Sequence, residues 1–315
     1  MKIIDLFAGI GGIRLGMEQA GKELGIQIEN VFSSEINKYS IDTYKENFND
    51  EEVKGDIMEI SEKEIPDFDI LLAGFPCQPF SQAGKQKGLS DPRGQLFFEI
   101  IRILKAKKPK AFLLENVKRL KTHDNGKTLE LMLEELKKIG YKNLHFEVLK
   151  AKDFGVPQNR ERLFIVGFKD SKKKFEFPEP VKSKVKLGDI LEKKIDDKYT
   201  ISDKLWEGHQ RRKSENSLKG KGFGYTLFNK NSEYTNTISA RYYKDGSEIL
   251  IEQKGKNPRK LTPREAARLQ GFPDEFKIPV SDVQAYKQFG NSVTVPVIKE
   301  ISLKILNSLK TRQSK

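Results

Sequence analysis

Cysteine, histidine and tryptophan are scarce in this chain of 315 residues, which contains one, three and one of them respectively. A single cysteine excludes an internal disulfide framework, and with only three scattered histidines it disfavours a structural zinc site. We find no apolar run long enough to cross a bilayer and no signal peptide, so we expect no membrane partner. The composition predicts a cytoplasmic globular protein with one large domain or two unequal ones.

Acidic residues are outnumbered: 45 Asp and Glu stand against 58 Lys and Arg, which gives a net charge of +13. The excess is uneven, because residues 171–260 hold 22 basic and 13 acidic residues. A basic region favours a polyanionic partner, since cations that neutralise phosphates release condensed counterions. The alternative is a generally lysine-rich composition, but the concentration of charge in one region favours a nucleic acid.

The single cysteine, Cys77, follows a short apolar run. Residues 69–74 read DILLAG, which is typical of a buried strand, and FPCQPFS follows them. The prolines on both sides of Cys77 and Gln78 prevent regular helical or central-strand hydrogen bonding. A lone thiol is more often an inert small hydrophobe than a nucleophile. The mouth of a strand is nevertheless where α/β enzymes hold reactive groups, so both interpretations stay open here.

Three other strand ends in the first half carry residues that suit a nucleotide. The strand predicted at 2–7 leads into a glycine turn and a helix, which is how nucleotide-binding units begin. Glu35 ends the second predicted strand and Asp56 ends a third at 53–57, where carboxylates can accept hydrogen bonds from ribose and adenine. A helix cap is the ordinary alternative for each carboxylate. The glycine spacing is not G-x-G-x-x-G, which disfavours a nicotinamide dehydrogenase.

Charged residues also flank the later strands. Glu115 lies after four apolar residues in the strand predicted at 111–117, where it is either a helix cap or a carboxyl group held in a cleft. Arg160 and Arg162 precede the strand predicted at 163–168, and in extended conformation they would share a face. Two adjacent guanidiniums near a buried strand need an anionic or polar partner, although a solvated surface pair is the plainer alternative.

The pattern of alternating strands and helices stops near residue 170. Short β-like pieces at 225–228 and 236–243 are joined by turn residues, and Thr262 to Glu265 form a helix start with a capping box. Arg, Tyr, Thr and Asn in the loops of a basic region suit contacts with a DNA groove. We predict an α/β fold with a second, smaller domain that is irregular and β-rich. A helix is predicted after Gly12, through Leu15, Met17 and Ala20, that ends at Gly21 or Gly25. Further helices are predicted at 38–47, 93–105, 127–138, 262–269 and 297–309.

Six segments, taken in order, resemble the DNA (cytosine-5)-methyltransferases of bacterial restriction–modification systems. They are DLFAGIGG (5–12), GFPCQ (74–78), ENV (115–117), QNRER (158–162), LTPRE (261–265) and QFGNSV (288–293). The combination of Pro-Cys-Gln, Glu-Asn-Val and Gln-x-Arg-x-Arg is highly specific, and the resemblance spans nearly the whole chain. It implies a Rossmann-like domain for S-adenosylmethionine at 1–180 and 284–315, and a target-recognition domain at 181–283.

The resemblance also implies a reaction, the transfer of a methyl group to C5 of a flipped-out cytosine in duplex DNA. Cys77 would form a covalent adduct at C6 of the base, and Glu115 would hold or protonate N3. Arg160 and Arg162 would bind the base O2 and a nearby phosphate and would orient Cys77. No metal is implied, and the sequence does not identify the base that removes the C5 proton.

Contacts with the cofactor and with DNA are implied residue by residue. Phe7 would stack on adenine, Glu35 would accept from the ribose hydroxyls, and Asp56 would accept from the adenine amino group. The whole cofactor set is Phe7, Gly9, Ile10, Gly11, Gly12, Glu35, Ile36, Asp56, Ile57, Pro76, Leu96, Asn291 and Val293. The DNA set is Gln78, Ser81, Thr237, Arg241 and Tyr242.

The implied partner is double-stranded DNA, held in a cleft between the two domains, and a monomer is the default expectation. Whether a cognate restriction endonuclease acts on the same site, without stable contact, is left open. An RNA (tRNA) cytosine-5 methyltransferase of the related fold is one alternative, which the basic sequence at 181–283 disfavours. A catalytically silent DNA-binding module is another, which the intact set of Cys77, Glu115, Arg160 and Arg162 disfavours.

Overall fold

The structure is a computed structural model that describes residues 1–48, 52–75, 95–181, 184–220, 222 and 224–310. The chain divides into two compact units. The first comprises Met1–Leu149, Glu161–Glu179 and Val297–Lys315, and the second comprises Lys150–Arg160 and Pro180–Pro296. None of the helices formed by the described residues has the length and apolar character needed to span a membrane.

The first unit is built on a six-stranded sheet in the order β2-β1-β3-β4-β6-β5. Strands β2, β1, β3 and β4 are parallel, and β6 runs antiparallel to β4. The central strands are buried on both faces, which explains why they read as continuous apolar runs. The strands are β1 (Lys2–Leu6), β2 (Glu29–Ser34), β3 (Ile70–Gly74), β4 (Ala111–Val117), β5 (Asn143–Lys150) and β6 (Glu161–Phe168).

Helices alternate with these strands, as the sequence predicts. They are α1 (Gly12–Glu23), α2 (Lys38–Phe48), α3 (Gln95–Lys107) and α4 (Lys127–Lys138). The third predicted strand, at 53–57, is wrong. Only Lys54 forms a bridge there, with Ser34, and Asp56 then caps a 3₁₀ turn at Ile57–Glu59 by accepting from the Met58 N–H at 3.0 Å.

The second unit contains more helix and less strand than predicted. Its described residues form α5 (Leu187–Ile190), α6 (Asp203–Leu218), α7 (Pro263–Leu269), α8 (Asp282–Asn291) and the start of α9 (Val295–Lys310). In the described part of this unit, β-structure consists of one parallel pair, β7 (Leu227–Phe228) and β8 (Leu250–Ile251), and isolated bridges such as the one between Ile251 and Arg259.

The strand predicted at 236–243 is wrong, because its polar groups pair with a loop instead of a neighbouring strand. The Ile238 N–H donates to Oε1 of Gln158 at 3.0 Å, and Oγ1 of Thr237 donates to the Asn159 carbonyl at 2.7 Å. The bonds to Gln158 and Asn159 also connect this loop to the second unit. Residues 150–160 and 284–296, which were expected in the first domain, cluster with the second unit.

A buried ion pair fixes the start of α7. The carboxylate of Glu265 is fully buried and accepts from Arg259 at 2.7 and 2.9 Å and from the N–H groups of Thr262 and Glu192, each at 2.9 Å. Oγ1 of Thr262 accepts in return from the Glu265 N–H at 3.1 Å. The capping box predicted from the sequence is therefore confirmed. Its carboxylate, that of Glu265, is paired with the guanidinium of Arg259.

We expect Glu265→Ala to lower the free energy of unfolding of the second unit by about 3–5 kcal/mol, because it leaves Arg259 buried without its partner. The single tryptophan, Trp206, lies in α6 of that unit, so its fluorescence during urea titration reports the loss. Asp274→Asn is the control, because it breaks the exposed ion pair with Arg268 and should change stability little. Equal effects of the two variants would contradict this account.

Candidate active site

Parallel pairing brings the carboxyl ends of β1, β3 and β4 to one edge of the sheet. Gly74, the last residue of β3, lies opposite Glu115 in the register of β4. A Cβ atom on Gly74 would lie 3.6 Å from Oε2 of Glu115, an ordinary contact distance that places this strand end beside the carboxylate. The predicted residues Pro76, Cys77, Gln78 and Ser81 follow in the chain and lie outside the described residues.

Strand β6 brings Arg162 to Glu115. Nε of Arg162 lies 3.0 Å from Oε1 of Glu115, and the two side chains are 19% and 11% exposed. Nη1 of Arg162 also donates to the Glu161 carbonyl at 2.9 Å, which fixes the guanidinium plane. The structure thus brings two of the four predicted catalytic residues into one partly accessible ion pair at the edge of the sheet.

Arg160 has a different environment from the one predicted. Its guanidinium donates to the backbone carbonyls of Ile238 at 3.0 Å, Gly290 at 3.0 Å and Ser292 at 2.5 Å, and the residue is 2% exposed. A planar fork of donors is well suited to holding several carbonyls at once. Arg160 therefore joins segments of the second unit, and a structural role replaces the predicted contact with the base or a phosphate.

The glycine turn after β1 combines an open side and a packed side. Phe7, Gly9 and Gly11 all have left-handed backbone conformations, with φ of 55°, 56° and 80°. Beside Gly9 there is space, because an added Cβ would meet nothing within 4 Å. At Gly11 an added Cβ would lie 2.2 Å from the ring of Phe48. Gly9 therefore leaves room for a ligand to approach the backbone, whereas Gly11 is required by packing on α2.

The carboxylate of Glu35 is held in place by three backbone groups. Its Oε2 accepts from the Gly9 N–H at 2.8 Å, and its Oε1 accepts from the N–H groups of Ile36 and Asn37 at 2.9 and 2.8 Å. A carboxylate has about four acceptor positions, so one remains for a hydroxyl donor. The adjacent side chain of Ile36 is 73% exposed, which presents an apolar surface at the same strand end.

The remaining predicted cofactor residues differ in exposure. Ile57 is 1% exposed, so its side chain belongs to the core and only its backbone can face a ligand. Ile10, Gly12 and Val293 are also buried, Asp56, Phe7 and Leu96 are half-buried, and Asn291 is exposed. Asn291 and Val293 belong to the second unit. Among the described residues, no group of three or more His, Cys, Asp or Glu side chains could hold a metal ion.

One of the predicted DNA contacts, Tyr242, is a core residue. Its ring is fully buried beside Tyr286, its hydroxyl donates to the Ile249 carbonyl at 2.7 Å, and the same oxygen accepts from the Leu261 N–H at 2.8 Å. Both hydrogen-bonding roles of the hydroxyl are used within the unit, which corrects the prediction. Arg241 is exposed and Thr237 is half-buried, so both have surface for a partner.

A buried polar network behind the glycine turn was missed by the sequence reasoning. Asp5 is 1% exposed and lies 3.4 Å from the hydroxyl of Tyr44, which contacts Arg14 at 3.1 Å and Ser33 at 2.8 Å. Burial raises the pKa of Asp5 well above its usual range, and this outweighs the lowering by Arg14. The available signals were a carboxyl group directly after Ile3 and Ile4 and its place at the start of the DLFAGIGG segment.

This geometry defines an α/β protein with a six-stranded, mostly parallel central sheet, and comparison with known proteins specifies its family. A model of the C-5 cytosine-specific DNA methylase family matches residues 1–307. The Type II methyltransferase M.NlaX of Neisseria lactamica is 66% identical over 301 residues, covering 96% of this chain and 95% of the relative. The Type II methyltransferase M1.ScrFI of Lactococcus lactis subsp. cremoris is 64% identical over 313 residues, covering 98% and 78%.

A solved structure supports the same fold. The crystal structure of S. pombe Dnmt2 methyltransferase matches with a TM-score of 0.81 at 21% identity, covering 99% of this chain and all of that one. The chain belongs to the C-5 cytosine-specific DNA methylase family, whose members are DNA (cytosine-5)-methyltransferases. The Rossmann-like methyltransferase fold predicted from the sequence is thereby confirmed.

We expect Asp5→Asn to remove a pH dependence of stability. Because the pKa of Asp5 is raised in the folded state, the unfolded chain ionises first, near pH 4. Stability therefore falls by about 1.4 kcal/mol per pH unit between that pH and the folded pKa. An asparagine has the shape of the protonated acid without its titration. Urea unfolding followed by circular dichroism at pH 4, 5, 6 and 7 measures the free energy of unfolding of both proteins. The value for the variant should increase relative to that of the wild type as pH rises. A constant difference would contradict this account.

Proposed function

We propose that this protein is the modification methyltransferase of a restriction–modification system, and that it methylates C5 of one cytosine in a specific sequence of duplex DNA. The Glu115–Arg162 pair carries the assignment, because it lies opposite Gly74, three residues before Cys77. Both relatives described above are named Type II methyltransferases, which favours DNA over the tRNA alternative. We place the enzyme in the cytoplasm with its DNA and treat it as a monomer.

The residues at the ends of β1 and β2 suit S-adenosylmethionine, which supplies an electrophilic methyl group when bound. Glu35 is oriented by three N–H groups and keeps an acceptor position for a ribose hydroxyl. Gly9 leaves space beside the backbone, and Ile36 offers an exposed apolar side chain to a ring. Asp56 uses Oδ1 as a cap, and we assign its other oxygen to the adenine amino group. Phe7, Leu96, Asn291 and the buried members of the set complete the site in this proposal.

Cys77 is the proposed nucleophile. C5 of cytosine is too electron-poor to accept a methyl group, and addition of a thiolate to C6 moves electron density onto C5. A thiolate suits this step because it is accessible near neutral pH. After methylation, loss of the proton from C5 restores the C5–C6 double bond and expels the thiolate of Cys77. The base must first leave the helix, at a cost of a few kcal/mol.

Glu115 and Arg162 bind the base in this proposal. A carboxyl group at N3 holds or donates the proton that makes C6 more electrophilic, and the guanidinium donates to O2. Their ion pair orients both groups before the base arrives, which lowers the cost of assembling the site. Thr237 and Arg241 are proposed contacts of the target-recognition domain at 181–283.

Methylation of unmethylated DNA followed by bisulfite sequencing tests the function directly. We expect protected cytosines in one short sequence context with the wild type and S-adenosylmethionine, and none with Cys77→Ser. Undiminished protection by Cys77→Ser would refute the thiolate mechanism. Faster methyl transfer to tRNA than to duplex DNA would replace the proposed substrate.

We expect Glu115→Gln to lower kcat by about 10²–10⁴-fold while DNA affinity changes little, because the amide cannot deliver the proton at N3. Glu147→Gln is a matched control, since it removes an exposed carboxylate of β5 in the same unit. Steady-state methylation and an equilibrium DNA-binding assay separate the two effects. Equal loss of turnover and binding would mean that Glu115 has a structural role.

A further inference from the structure

A short basic segment follows the strand that carries Glu115. Residues 118–127, which we call the basic turn, read KRLKTHDNGK and contain four cations and one carboxylate. Arg119, Lys121 and Lys127 are exposed, and their side chains make no ion pair or hydrogen bond with any residue that the structure describes. We propose that these three cations bind phosphates of the DNA strand beside the flipped-out cytosine, an inference that rests on the proposed function.

The start of the basic turn is docked beside the Glu115–Arg162 pair. Val117 lies opposite Arg162 in the register of β4 and β6, and Nζ of Lys118 lies 2.7 Å from Oε2 of Glu161. Arg119 follows Glu115 by four residues, so their Cα atoms are separated by at most about 14 Å. A cation with a long side chain at this position can therefore reach the backbone of a nucleotide whose base contacts Glu115.

The segment then folds back on itself, which brings the other two cations near the first. The Thr122 N–H donates to the Arg119 carbonyl at 3.2 Å. The next residues turn through three left-handed conformations, with φ of 49° at Asp124, 52° at Asn125 and 89° at Gly126. An ideal Cβ on Gly126 would lie 3.8 Å from the Lys121 carbonyl oxygen, so Lys127 begins α4 close to Lys121.

A contact within the segment fixes this turn. Nδ1 of His123 lies 2.7 Å from Oγ1 of Thr128, in the first turn of α4. The cations therefore come from an ordered turn, and little backbone entropy is lost when they meet a ligand. This arrangement suits the evenly spaced charges of one nucleic-acid strand, which carries a phosphate every 3.4 Å or so along the helix axis. Such contacts position the DNA without reading its sequence.

The test compares two triple variants with the same change in net charge. Arg119→Gln/Lys121→Gln/Lys127→Gln removes the free cations of the basic turn. Its control is Lys105→Gln/Lys137→Gln/Lys142→Gln, which removes exposed lysines elsewhere in the same unit. Lys105 precedes β4, and Lys137 lies about 15 Å along α4 from Lys127, so the control positions are remote from the carboxyl end of β4.

The measurement is the affinity for duplex DNA containing the recognition sequence, between 0.05 and 0.2 M salt. Each lost phosphate contact lowers the slope of log K against log salt by about 0.9. For the basic-turn variant we expect the slope of log K against log salt to be smaller in magnitude than that of the wild type by about 2–3. At 0.15 M salt its affinity for DNA should be lower by about tenfold or more. The control should lose less than about 1 in slope. Affinity for S-adenosylmethionine and the melting temperature should be unchanged in both.

Uncharged methylphosphonate linkages on either side of the target cytosine locate the contact. They should lower the salt slope of the wild type and of the control, with little further effect on the basic-turn variant. Equal slopes for the two triple variants, or equal effects of the neutral linkages on both, would overturn the inference and leave a solvated surface. If the wild type methylates DNA in that case, the proposed function stands. A wild type that neither binds nor methylates DNA would refute both.

Discussion

The position of β4 between two neighbours of opposite direction determines the candidate site. A parallel β3 places its carboxyl end, Gly74, opposite Glu115, and Gly74 is three residues before Cys77 in the sequence. An antiparallel β6 enters the sheet from that edge, so its first residues, including Arg162, arrive there too. If β6 were parallel to β4, Arg162 would lie at the opposite edge and Glu115 would have no guanidinium at 3.0 Å.

Within each unit, hydrogen bonds of buried polar groups join particular segments of the chain. Burial of Asp5 in strand β1 raises its pKa and so disfavours its ionised form. Its contact with Tyr44 links β1 to α2 beside the glycine turn. In the second unit the side-chain amide of Gln158 accepts from the Ile238 N–H and donates to the Leu269 carbonyl. These two bonds join segments that are far apart in sequence. Without these partners the buried amide of Gln158 would carry a desolvation penalty, so its contacts favour one arrangement of the chain over its compact alternatives.

Local patterns predicted the first unit well and the second poorly. Strands such as β3 and β4 are buried on both faces, and their apolar runs are bounded by Gly and Pro, which makes them readable. Helix α6 was missed because its residues are polar around most of the circumference, with His209 the one that is buried. Helix α8 was missed because Gly290 and Asn291 read as a turn. Gly290 is instead required where the Ser239 backbone passes, since an added Cβ would lie 2.3 Å from it.

The two arginines of the QNRER segment show why spacing alone could not assign the site. Residues i and i+2 share a face only within a strand, and β6 begins at Glu161, between them. Arg162 obeys the strand geometry and meets Glu115, whereas Arg160 lies in the preceding loop and turns to backbone carbonyls. The two arginines therefore have different partners although they are only two residues apart, because the pairing of β6 with β4 starts between them. The resemblance identified the segment, but only the tertiary partners separate Arg162, which pairs with the Glu115 carboxylate, from Arg160, which bonds backbone carbonyls of the second unit.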